Sequence, residues 1–225
     1  MKKEIPMVEG KLRSTKLQRV PEEIYSCSGI SIFGKHIQSF LFSTDVSIIC
    51  NTNADAVIAV YPFTPQPIIT KAVMVAADVP VLCGVGGGIT GGDRSLLLAV
   101  EAELQGAIGV VFNAPTPEST IEKVAKLLDI PIVVTVANEN TDYAARINAG
   151  VAIFNVAAAD KTPRIVAEIR SKYPKFPIIA TGGPTGETIR ATVEAGANAI
   201  TWTPPSSAQI FAEIMSAHRE NRPLK

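Results

Sequence analysis

The stretch Ala180-Thr181-Gly182-Gly183-Pro184-Thr185-Gly186 ends an apolar run on a hydroxyl and two adjacent glycines. Glycine backbone can turn successive N–H groups toward one small anion, and a helix beginning just beyond adds the positive end of its dipole. A second set of hydroxyls, in Thr203-Pro204-Pro205-Ser206-Ser207, precedes the last helical pattern. Phosphate or carboxylate binding is therefore expected at Thr181, Gly182, Gly183, Thr203, Ser206 and Ser207. The competing expectation is a tight turn at the glycines and a helix cap at Ser206 or Ser207. Another loop, Gly84 to Gly92, places six glycines in nine residues. It lacks a P-loop lysine and dinucleotide spacing, so Gly86, Gly87 and Gly88 read as a possible lid, or as a loose connection whose Asp93 caps the next helix.

Proton-handling groups are scarce near these loops. Asp45, in Ser43-Thr44-Asp45, is the candidate catalytic base, and it suits equally well a favourable charge in a first helical turn. Asn113 and Asn155 end apolar runs and are candidate hydrogen-bonding orienters of a substrate. Glu139 and Asp142 share the ambiguity of Asp45. Cys83 has no histidine or lysine beside it in sequence and reads as a small buried hydrophobe. The three cysteines and two histidines show no metal-ligand spacing, and acids are too sparse at the run ends for magnesium. No metal, flavin or other cofactor is expected.

The elements that must position these groups form a repeat. Val79-Pro80-Val81-Leu82-Cys83, Ile130-Pro131-Ile132-Val133-Val134 and Phe176-Pro177-Ile178-Ile179-Ala180 each read as a buried parallel strand entered through proline. Three more strands start directly after Gly106, Gly150 and Gly196, glycines 44 and 46 residues apart that end helices. Two further strands are expected at Ile37 to Ser43 and Asp55 to Tyr61, with a helix over Thr44 to Asn53 between them. Ser31 to Ser43 also fits a hairpin around Gly34-Lys35. Amphipathic stretches at 66–77, 94–105, 118–128, 141–149, 163–173, 187–195 and 208–219 supply the remaining helices. Eight strands alternating with eight helices predict a closed TIM (β/α)8 barrel over 35–225, α/β in class, with residues 1–34 as an N-terminal extension that covers the barrel floor or reaches a neighbouring subunit. The open-sheet alternative would put a glycine fingerprint after the first strand, where Phe42-Ser43-Thr44-Asp45 has none.

From about Asn113 to Pro205 the order of motifs resembles the ribulose-phosphate-binding barrel superfamily, and particularly the keto-deoxy-phosphogluconate and keto-hydroxyglutarate aldolases. The resemblance lies in Ile130-Pro131-Ile132-Val133, Gly150-Val151-Ala152-Ile153-Phe154-Asn155 and Pro177-Ile178-Ile179-Ala180-Thr181-Gly182-Gly183. It implies a substrate phosphate or carboxylate at Thr181, Gly182 and Gly183. It also implies a Schiff-base lysine on the sixth strand, where this chain has Asn155, which carries no amine able to form an imine. Lys161 is a poorly placed substitute.

The 225 residues are 47% hydrophobic, with 21 basic and 21 acidic side chains. No global field favours nucleic acid, and no apolar run reaches membrane-spanning length. The expectation is a cytoplasmic protein, a possible homo-oligomer, whose partner is a small phosphorylated or carboxylated molecule. Two function classes remain. One is a metal-independent, aldolase-like lyase or isomerase of carbohydrate metabolism. The other is a non-catalytic barrel resembling the glycerol-uptake antiterminator regulators.

Overall fold

The computed structural model describes residues 6, 8, 10, 11 and 17–223. The remaining part of the expected extension lies outside the described residues. A short antiparallel hairpin, β1 (Ile30–Ile32) with β2 (Lys35–Ile37), precedes the barrel. The barrel strands are β3 (Ser39–Phe42), β4 (Ala56–Ala59), β5 (Val81–Gly86) and β6 (Gly109–Phe112), followed by β7 (Ile132–Val136), β8 (Ile153–Val156), β9 (Ile178–Thr181) and β10 (Ala199–Trp202). They pair in parallel in chain order, and β10 closes on β3 through Thr201 beside Phe40. The helices are α1 (Val46–Ile49), α2 (Pro67–Ala76), α3 (Gly92–Leu104) and α4 (Glu118–Ala125), then α5 (Tyr143–Asn148), α6 (Thr162–Lys172), α7 (Gly186–Glu194) and α8 (Ser207–Arg219). The expected eight-stranded closed barrel is therefore what the chain forms.

The two readings of Ser31 to Ser43 coexist, hairpin first and barrel strand second. Ile30, Ile32 and Ile37 of the hairpin belong to one buried cluster with Phe40, Ile58, Leu82, Val133, Ile153 and Ile179, the inward side chains of the barrel. The hairpin plugs the floor, and it spans both sides of position 34. Ahead of it the chain forms a strap. Gln18 pairs with Thr52, Ile24 is fully buried, and the Gly29 N–H donates to Asn198 O at the start of β10. The helix expected over Thr44 to Asn53 is a single turn, because residues from Asn51 on pair with the strap instead.

Gly106, Gly150 and Gly196 have φ of +99, +109 and +107, the left-handed conformation that ends a helix and that glycine adopts without strain. On the floor side Arg170 of α6 uses its whole guanidinium. Nε and Nη2 donate to Gly196 O, Nη2 also to Asn198 Oδ1, and Nη1 to Pro174 O and Phe176 O. Between strands and helices lies the second and larger core, which takes Cys83, Phe112, Phe154 and Ile169.

Candidate functional site at the barrel mouth

Successive residues of a strand point to opposite faces, so a residue two beyond an inward core side chain also points inward. Applied to the inward cluster, this gives the ring that lines the mouth at the carboxyl ends of the strands: Phe42, Val60, Gly84, Asn113, Thr135, Asn155, Thr181 and Thr201. The ring contains no charged side chain. Its β7 to β10 arc is polar, with Thr135, Asn155, Thr181 and Thr201 on four consecutive strands. Asn155 Nδ2 makes one long contact, 3.5 Å to Thr135 Oγ1. Asn155 and Thr201 are only 8% and 6% exposed, yet Asn155 Oδ1 and Thr201 Oγ1 have no hydrogen-bond partner. Unpaired buried polar atoms are rare and costly, so they need a reason.

Asn113 faces a cavity of about 90 Å³ in the β4 to β6 sector, together with Val60, Tyr61, Phe63, Gly84 and Ile89. Its backbone is fixed. Asn113 N donates to Gly86 O, and its carbonyl accepts from Thr116 Oγ1. Arg146 of α5 braces the same loop by donating to Thr116 O and Ala114 O.

Two of the three glycines read as a lid pack against this segment. Gly86 and Gly87 are buried, with φ of +127 and +102, and Gly87 N donates to Thr90 O. A Cβ on Gly87 would stand 1.9 Å from Thr116 Oγ1. These glycines are there for close packing. Gly88, Ile89, Gly91 and Gly92 are exposed.

Asp45 is the N-cap of α1. Its carboxylate accepts from Ser47 N, Ser47 Oγ, Ile48 N and, across from α8, Ser207 Oγ. These donors, the Ser207 hydroxyl most of all, lower its pKa from 3.8 to about 2. A carboxylate so stabilised is a poor proton acceptor at neutral pH. The pKa is lower in the folded than in the unfolded chain, so the Asp45 contribution to stability is full above about 4 and is lost as pH falls through about 2. Asp45→Asn should therefore lose less stability than the wild type between pH 5 and 2, read from urea midpoints; equal losses would contradict the clasp.

The expected phosphate residues divide. Ser206 caps α8 in a reciprocal box with Gln209, and Ser207 is spent on Asp45. Thr203 and Gly183 line an open outer cleft with Pro21 and Trp202. Gly182 N makes only a 3.4 Å contact, to Thr201 O. At the first turn of α7 the strap intervenes. Glu23 Oε1 lies where a Cβ on Gly186 would be within 2.1 Å of it, and it pairs with Arg190 at 2.9 Å. An acidic side chain thus already faces the positive end of α7. Sequence reasoning missed Glu23, and it placed Thr135 and Thr201 at strand exits without a role, which the alternation of β7 and β10 would have given them.

Cys83 is buried with its thiol pushed up to about 12, and burial raises Cys27 to about 11. Cys50 is exposed. An aromatic disulfide reagent should react with one thiol per native chain and three after unfolding; two fast-reacting thiols would contradict this burial.

At the β7 and β8 exits, Glu139 pairs with Lys161 at 3.6 Å and Arg164 at 3.2 Å. No group of three His, Cys, Asp or Glu able to hold a metal occurs among the described residues. None of their helices is long and apolar enough to cross a membrane.

No family model matches the chain, and no curated relative does. Many solved structures share the fold. Phosphonopyruvate hydrolase, solved with oxalate and Mg++, is 11% identical, with 85% of this chain and 86% of that one covered at a TM-score of 0.62. For 2,3-dimethylmalate lyase, of the PEP mutase/isocitrate lyase superfamily, the values are 12%, 98%, 91% and 0.60. For KGPDC from Streptococcus mutans they are 12%, 73%, 86% and 0.58. At such identities the likeness establishes the barrel. The magnesium of the hydrolase does not fit the mouth ring here, which offers amide and hydroxyl groups and no carboxylate.

Proposed function

We propose that the barrel mouth binds a small hydroxylated carboxylate or phosphorylated molecule, held by neutral hydrogen bonds from Asn155, Thr201 and Thr135, with its anionic group toward Gly182 and Gly183. The observation that carries this reading is the pair of buried, unpartnered atoms Asn155 Oδ1 and Thr201 Oγ1. A ligand hydroxyl both donates and accepts, so it satisfies an amide oxygen and a threonine hydroxyl together. Lyase or isomerase chemistry on such a ligand draws support from the activities named for the barrels of the same fold, which is an argument by analogy. In that case Asp45 is a positioning residue that ties α1 to α8, and proton transfer falls to Glu139, with Lys161 beside it. An imine mechanism has no support, since no ring position carries lysine.

A second reading, ligand sensing without turnover, is favoured by the uncharged ring. The two separate in one experiment. The protein is incubated with phosphorylated sugars, 2-hydroxy acids and 2-keto acids and followed by proton NMR. New product signals that vanish in Glu139→Gln support the enzyme; broadened ligand signals with no product over days support the sensor. Unchanged spectra for every compound would overturn both.

A further inference from the structure

The mouth is two-faced. Against the polar arc on β7 to β10 stands a sector in which Val60 and Val111 project inward and Gly84 projects nothing, and there the cavity of about 90 Å³ opens. A Cβ on Gly84 would stand 2.9 Å from Val60 Cγ2 and 3.1 Å from Ala59 O, so β5 packs closely on β4 there and no larger side chain fits beside the cavity. Two loop tips rim this same cavity with large apolar side chains left in solvent, Phe63 71% and Ile89 93% exposed. Apolar groups left largely in solvent at a cavity rim gain by covering an apolar ligand. The cavity shares Val60, Gly84 and Asn113 with the mouth ring, so its occupant lies at the same end of the barrel as Asn155 and Thr201.

We infer that the ligand is amphipathic: opposite its hydroxyl and acid head it carries a short aliphatic group, seated against Val60 and Val111 and covered by Phe63 and Ile89. This rests on the mouth-binding reading above and adds the substrate class. The cavity is small, about 90 Å³, so it suits a short aliphatic group and not a long chain.

The test is calorimetric titration with a straight series of 2-hydroxy acids: glycolate, lactate, 2-hydroxybutyrate, 2-hydroxyvalerate and 2-hydroxyoctanoate. Affinity should rise by up to about fourfold per added carbon, level off once the short cavity is filled, and fall for the octanoate. The double variant Phe63→Ser, Ile89→Ser, altered only at exposed positions, should flatten that rise while glycolate binds as before. Glycolate binding with a flat or falling series overturns the aliphatic seat and leaves mouth binding intact. A rise unaffected by the double variant overturns the assignment of Phe63 and Ile89. Failure of every member to bind overturns the mouth reading and this inference together.

Discussion

Thr201→Val and Asn155→Leu should each make the protein more stable and less able to bind. Each replaces a buried polar group that lacks a full set of partners by an apolar group of similar size. An unsatisfied buried group costs about 1–3 kcal/mol, so removing it should raise stability by about 1 kcal/mol in urea unfolding. Losing a hydrogen bond to a charged or hydroxylated ligand costs about 1.5–3 kcal/mol, a weakening of at least tenfold in titration. The opposite signs carry the argument. A purely structural asparagine or threonine would lose stability when replaced, and binding only through misfolding. Destabilisation of both variants would therefore place these groups in the framework and remove the site.

Arg170→Ala should be the most damaging single change away from the mouth. Its guanidinium closes the loop after α6 onto the turn before β10, through Pro174, Phe176, Gly196 and Asn198. Charged hydrogen bonds contribute about 1.5–3 kcal/mol each, but the carbonyls released are partly open to water, so the expected loss is about 3 kcal/mol. Arg170→Lys should recover only part of it, since one ammonium cannot span four acceptors in a planar fork. A loss below about 1 kcal/mol for Arg170→Ala, read as a shift of the denaturant midpoint at unchanged slope, would show the network to be incidental.

The barrel was legible because each unit repeats two local signals with a physical cause. Proline enters β5, β7 and β9, and a left-handed glycine closes the turn ahead of β6, β8 and β10. The first unit was harder. Val46-Ser47-Ile48-Ile49 begins a helical pattern, but the competitor that ends it, the strap at Gln18, lies more than thirty residues earlier. The contacts of the site residues were hidden for the same reason. Whether Asp45 is a base depends on Ser207, 162 positions away. Whether Gly87 is a hinge or a packing position depends on Thr116. The expected anion site at α7 depends on Glu23, which reaches Arg190 across 167 positions. Periodicity reports the face a residue presents, and nothing in it reports which distant side chain meets that face. Asn155 was found because it ends an inward run, whereas Thr201, one position before the strand's last residue, drew less notice than the exit loop beyond it.

The central claim, that Asn155 and Thr201 are held unpaired for a ligand, is tested most directly by a crystal structure of the protein grown with 2-hydroxyvalerate at saturating concentration. The account predicts the ligand hydroxyl within 3.2 Å of both Asn155 Oδ1 and Thr201 Oγ1, in the range of an ordinary hydrogen bond, with the carboxylate toward Gly182 and Gly183. A mouth holding only an ordered water bridging the two atoms, with the acid absent or bound elsewhere, would contradict it.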